Sequence, residues 1–139
     1  MRRVSAKTKR LIEKSRSFRA DLVASVGSCE LCGTSPLRPK HVLPSLNQLC
    51  CHEILNGPLR QKVLMEPSCL IVACWKCNQN ELNQKGEWPL ARQLAIIKRK
   101  APERYDRGRV LLLRNENAPR FVEEHEVDEW VRIDSPQSS

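Results

Sequence analysis

The chain reads as a small α+β domain stabilised by zinc, and three features predict this. Two Cys-x-x-Cys pairs, Cys29/Cys32 and Cys74/Cys77, stand with 41 residues between them. Aromatic residues make up only 4% of the 139 residues, so a large apolar core is not expected and metal must supply part of the folding free energy. The run into the second pair, Ser68-Cys69-Leu70-Ile71-Val72-Ala73, is apolar and β-branched, as a buried strand requires. Two thiols three apart share one tight knuckle, and four thiolates close a tetrahedral zinc site with no position left for water. In zinc-finger peptides such an ion contributes roughly 10–16 kcal/mol of apparent binding free energy, enough to decide whether a core of this size folds.

Residues 1–5 read as a basic start. From about Ala6 to Ser25, Leu11, Ile12, Ser15, Phe18, Leu22, Val23 and Val26 recur at helical spacing. Lys7, Lys9, Arg10, Lys14, Arg16 and Arg19 fill the other face, and Gly27 is the expected stop. Gly33 allows the turn of the first knuckle. The stretch 34–47, with Pro36, Pro39 and Pro44, is expected to be irregular, and His41 within it reads as a surface or structural histidine. Leu46–Leu55 is expected as the first strand of a hairpin turning at Asn56-Gly57, with Leu59–Leu64 as a returning arm or basic loop. A short helix is expected from Asn78, so that strand, strand, knuckle and helix form a ββα-metal unit. Trp88-Pro89 opens the next helix with proline at its first position. Leu90, Leu94 and Ile97 form its apolar stripe, Arg92, Lys98, Arg99 and Lys100 its basic one, and Pro102 ends it. A further short helix is expected within 104–114, a linker at Asn115–Pro119, and a small acidic helix over Glu123–Val131 packing Val127, Trp130 and Val131. The last five residues are expected to be disordered. This divides the chain into a basic N-terminal helix (1–27), a zinc-bound unit with a helical extension (28–114) and an acidic C-terminal segment (115–139).

Charge is unevenly spread. Residues 1–110 hold 21 Lys and Arg against 9 Asp and Glu, and residues 111–139 hold 3 against 7, for a net of +8. A basic body suits a polyanion, most simply nucleic acid. No run approaches the roughly 18 apolar residues of a membrane span. The start Met1-Arg2-Arg3 has no apolar segment of a secretory signal behind it. A cytoplasmic, nucleoid-associated protein is therefore expected, in which paired thiols favour metal over disulfides.

Between the two thiol pairs lies Cys51-His52-Glu53-Ile54-Leu55-Asn56-Gly57-Pro58, and Asn78 directly follows the last thiol. In this order the residues from 29 to about 84 resemble the HNH, or ββα-metal, nuclease superfamily. The closest pattern is that of phage endonuclease VII-type resolving nucleases and phage HNH proteins carrying His-Glu-Ile. The resemblance implies a treble-clef core with flanking α-helices, cleavage of DNA phosphodiester bonds with branched or junction DNA among the substrates, and paired subunits in a homodimer. It implies structural Zn2+ on Cys29, Cys32, Cys74 and Cys77, and a catalytic Mg2+ or Mn2+ near His52 and Asn78. His52, Glu53 and Asn78 are the implied catalytic set. Arg10, Lys14, Arg60, Lys62 and Lys76 are candidates for phosphate contact.

The pattern departs from most relatives, which carry Asp-His or His-His in the hairpin. If His52 is the general base, the metal position before it falls on Cys51, a soft ligand ill suited to magnesium. If His52 holds the metal, Glu53 falls in the base position, and this register is preferred. Plainer roles stand beside each assignment. The cysteines also suit a catalytically inactive zinc module that binds nucleic acid, as a phage or mobile-element regulator would. Glu53 could pair with Arg60 or Lys62, and Asn78 could cap the helix after it. Trp75 could stack on a base, although burial against the helix is the more ordinary role. Cys50, Cys51 and Cys69 read as core thiols. The acidic segment reads as a solvated helix, as a competitor with DNA for the basic face, or as an adaptor surface.

Overall fold

The structure, a computed structural model, describes residues 5–35, 48–55, 63–83, 86–114 and 122–135. His41, the Asn56-Gly57 turn, Arg60, Lys62, the 115–119 linker and the last four residues lie outside these. Helix α1 spans Ala6–Val26. The Ser5 side chain caps its start by accepting from the Thr8 N–H at 3.1 Å. Gly27 ends it in the left-handed region at φ 75°, where its N–H reaches the Val23 carbonyl.

Two strands form the sheet, β1 (Leu49–Glu53) and β2 (Leu70–Cys74), antiparallel from Leu49↔Cys74 to Glu53↔Leu70. The strand that pairs with β1 is thus the apolar run before the second knuckle, and of the expected arm at Leu59–Leu64 residues 59–62 lie outside the described residues. Side chains alternate across the strands. Cys51, Leu70 and Val72 face α1, where Phe18, Leu22, Val23 and Val26 cover them. Ile71 and Ala73 face the main core with Leu94, Ile96, Ile97, Val110 and Val127. All five β2 residues are buried because both faces of the strand are covered.

A two-stranded sheet has two free edges, and unpaired backbone groups there are costly when buried. On the β2 edge, Glu30 stands in for a third strand. Its N–H donates to the Val72 carbonyl and its carboxylate accepts from the Val72 N–H, both at 2.8 Å. Arg104 closes this edge, donating to Glu30 at 2.6 Å and to the Leu70 carbonyl at 3.1 Å. On the β1 edge, Arg19 donates to the Cys51 carbonyl at 2.7 Å.

After β2 the chain turns into α2 (Trp75–Cys77), which widens at once into a π-turn over Asn78–Leu82. The helix therefore starts inside the knuckle, three residues before the expected Asn78. Helix α3 spans Leu90–Lys100, with Pro89 in the capping position just before it. Helix α4 (Arg107–Arg114) and helix α5 (Glu124–Asp134) follow, the latter started by a capping box between Glu123 and Glu126. Helix α5 packs on α3 with Val127 fully buried. Arg92 lies between the rings of Trp88 and Trp130, 3.8 and 4.9 Å from their centroids, and grips Asp134 with two hydrogen bonds. Lys98 pairs with Glu124 and Asp128, and Tyr105 and Arg107 also bond to Glu124. Two cations of the expected basic stripe, Arg92 and Lys98, are thus neutralised within the fold by the acidic helix. Among the described residues, no helix is long and apolar enough to cross a membrane.

Replacing Glu30 by alanine leaves Arg104 as a buried charge without its partner and strips Val72 of its acceptor. The expected loss is about 3–5 kcal/mol, read by denaturant unfolding of the zinc-loaded protein. Deleting residues 122–139 uncovers the apolar face of α3, and the expected result is aggregation or loss of a cooperative thermal transition rather than a gain in affinity for polyanions.

Candidate metal centre and the histidine beside it

The two knuckles meet. Each ties back on itself in the same way, the Cys32 N–H pointing at Cys29 Sγ (3.4 Å) and the Cys77 N–H at Cys74 Sγ (3.5 Å). Gly33 makes the first turn possible at φ 79°. The sulfurs of Cys29, Cys32, Cys74 and Cys77 all lie within 4.8 Å of one another. Cys32 and Cys74, from different knuckles, are 3.8 Å apart and not bonded as a disulfide. A tetrahedral zinc with 2.3 Å bonds sets its sulfurs about 3.8 Å apart, so the cluster has the size the ion requires.

The electrostatics of the thiols point the same way. Burial works against ionisation of Cys32, but bonds from the Thr34 hydroxyl and backbone outweigh it and bring the thiol down to about 6. Burial, reinforced by the neighbouring thiols, drives Cys77 far upward, and burial raises Cys29. Four thiolates this close cannot all be charged without a counter-ion, and a divalent cation supplies it. Burial also lifts Cys50 and Cys51, and brings Cys69 to about 11. Cys51 and Cys69 are core thiols, Cys50 is half-buried at the sheet, and none of the three belongs to a metal cluster among the described residues.

Next to the cluster, the hairpin and the π-turn bring His52 and Asn78 together. His52 Nδ1 lies 3.1 Å from Asn78 Oδ1, and His52 Nε2 lies 2.9 Å from Gln93 Oε1 on α3. Asn78 is itself helical (φ −62°, ψ −45°), so it does not cap the helix start. Partners orient both amides. The Gln93 amine donates to the Trp88 carbonyl at 2.8 Å, which turns its oxygen to Nε2 and places a proton there. The Asn78 amine points at Cys50 Sγ (3.5 Å), whose thiol donates to the Ala73 carbonyl (3.3 Å). A neutral His52 then faces Asn78 Oδ1 with a lone pair, acceptor against acceptor. A proton or a cation between them resolves this contact. Two cis ligands of an octahedral ion with bonds of about 2.1 Å lie about 3.0 Å apart, close to the observed spacing.

Glu53 does not join this pair. Strand alternation sends it and Cys51 to the opposite face, where Arg19 holds the Glu53 carboxylate at 3.2 Å and the Cys51 thiol reaches the Arg19 carbonyl. Neither hairpin register therefore brings its second residue to His52. Gln93 is the residue that sequence reasoning missed, because its meeting with His52 depends on how α3 docks and leaves no local signal. Of the candidate phosphate contacts, Arg10, Lys14 and Lys76 are exposed, and none makes an ion pair with another described residue.

No protein-family model, no curated protein and no solved structure matches the chain.

One zinc per chain is expected by elemental analysis of protein purified without added metal. Cys74→Ser should lower zinc affinity by orders of magnitude and abolish cooperative unfolding, because the knuckle and the end of β2 share this residue. Since the ligands must be deprotonated, zinc retention should weaken as pH falls, measured by release to a chromogenic chelator.

Proposed function

We propose that this chain is a metal-dependent DNA endonuclease of the HNH, ββα-metal type, with the two zinc knuckles and the hairpin forming a treble-clef core. The observation that carries this reading is the 3.1 Å approach of His52 Nδ1 to Asn78 Oδ1, made by side chains from two elements that the four-cysteine cluster holds together. A divalent cation, Mg2+ or Mn2+, would be held by these two atoms and would offset negative charge on the phosphate in the transition state. Asn78 suits a hard cation through a neutral oxygen. With Nε2 engaged by Gln93, His52 has one lone pair and serves one role, as metal ligand or as the base that takes a proton from water. Glu53 acts through Arg19 to fasten α1 to the hairpin and is no longer part of the proposed catalytic set. Arg10, Lys14 and Lys76 remain the proposed phosphate contacts among the described residues.

A second reading has its own support. His52 is only 8% exposed and each ring nitrogen lies within hydrogen-bond distance of an amide oxygen, which suits a histidine that braces the fold of a catalytically silent, zinc-bound nucleic-acid-binding module.

The two readings part on simple assays. A nuclease converts supercoiled plasmid to nicked or linear forms when Mg2+ or Mn2+ is added. His52→Ala should retain zinc and lose about 10²–10⁴-fold in cutting rate, with Glu53→Gln staying within a few-fold of the parent. Mn2+ titration followed by electron paramagnetic resonance then assigns the role: lost Mn2+ binding in His52→Ala marks a ligand, and retained binding marks a base. Salt-dependent DNA binding without cleavage under any cation would establish the silent module instead.

A further inference from the structure

We infer that Trp75 is a stacking platform for an unpaired nucleotide of the nucleic-acid partner, an inference that rests on the DNA-directed reading above. The residue is 48% exposed, so it is not buried against the helix as expected. The other two tryptophans are used inside the fold, with Trp88 and Trp130 packed on the main core and clasping Arg92. Leaving a large indole in water forgoes the burial free energy that the other two realise, and in a chain so poor in aromatics this is a notable expense of apolar surface.

The backbone under this residue is tied at two points. The Trp75 N–H donates to the Gln48 carbonyl at 2.9 Å, tying it to the start of β1. The residue before it, Cys74, caps α2 with its sulfur and belongs to the four-cysteine cluster. The metal centre therefore anchors the backbone that carries this exposed indole, so that a base landing on it has only side-chain torsions to order.

The surroundings fit a nucleic acid strand. Lys76 is the next residue and is exposed. Gln48 leads directly into Leu49, where a groove of about 490 Å³ opens between α1 and the β1 edge, floored by Leu49, Ala20 and Val23 and bordered by Arg16 and Arg19. Arg19 is committed to Glu53 and the Cys51 carbonyl, whereas exposed Arg16 makes no ion pair with another described residue. Apolar floor, cationic border and one exposed ring are the elements by which proteins hold single strands, with bases stacked and phosphates neutralised. A closed duplex offers no free base face, so the platform selects unpaired nucleotides such as those of flaps, bubbles or single strands.

The test uses the full zinc-loaded chain with no added Mg2+ or Mn2+, so that binding is read without cleavage. Labelled oligo(dT) and a blunt duplex of the same length are titrated by fluorescence anisotropy against the parent, Trp75→Ala and Trp75→Phe, with zinc content measured for each. The expected result is quenching of tryptophan emission by oligo(dT) in the parent and loss of that quenching in Trp75→Ala. Affinity for oligo(dT) should fall about tenfold in Trp75→Ala and much less in Trp75→Phe, with duplex affinity changed less than twofold. Equal oligo(dT) affinity in parent and Trp75→Ala overturns the inference and leaves the nuclease reading intact if plasmid is still cut. A parent that sediments as a dimer while Trp75→Ala is monomeric overturns it in favour of a self-association surface. A parent that binds neither DNA overturns this inference and the DNA-directed reading together.

Discussion

Four sulfur atoms drawn within 4.8 Å of one another lock the first knuckle to the end of β2, a strand whose edge Glu30 of that knuckle also meets. The first knuckle follows α1, and the second ends β2 and begins α2. Without a shared cation the arrangement is electrostatically poor, since the same site lowers one thiol and raises another far out of the ionising range. With the cation, the hairpin, the π-turn and α1 acquire fixed relative positions, and the approach of His52 to Asn78 depends on them. The π-turn itself contributes, because widening the helix just after Cys77 sets where the Asn78 side chain points.

A sheet of only two strands is marginal by itself. Here its outward backbone groups are met by charged side chains, Glu30 and Arg104 on one edge and Arg19 on the other. Glu30 sits inside the first zinc knuckle, so the metal site and the sheet edge share a residue. Glu30 and Arg104 are almost fully buried, at 4% and 8% exposure, so each charge depends on the other for compensation. This makes the knuckle a substitute third strand as well as a ligand turn.

Charge is sorted by the fold. Four cations of α3 and α4 pair with carboxylates, Arg92 with Asp134, Lys98 and Arg107 with Glu124, and Arg109 with Glu66. The cations of α1, apart from Arg19, and Lys76 make no ion pair with another described residue. The acidic helix is thus an integral layer with Val127 in the core. Its removal would cost packing before it freed any surface, which argues against a tail that competes for a ligand. Among the described residues, the α1 side and the knuckle rim therefore offer exposed cations to a polyanion.

The sequence by itself determined the features that depend on local spacing. Thiols three apart announced the knuckles, apolar periodicity and Gly27 bounded α1, and the apolar run at Leu70–Cys74 marked a strand buried on both faces. It also placed Asn78 beside the metal centre, since Asn78 directly follows Cys77, whereas His52 reaches it through the pairing of β1 with β2. Only the tertiary structure decided which strand pairs with β1, because a local Asn-Gly signal competes there with long-range burial of Leu70–Cys74. Only the tertiary structure turned Glu53 away toward Arg19 and brought Gln93 to His52. A strand's alternation gives two faces, but what covers each is settled by the docking of α1 and α3, which no residue near position 53 encodes.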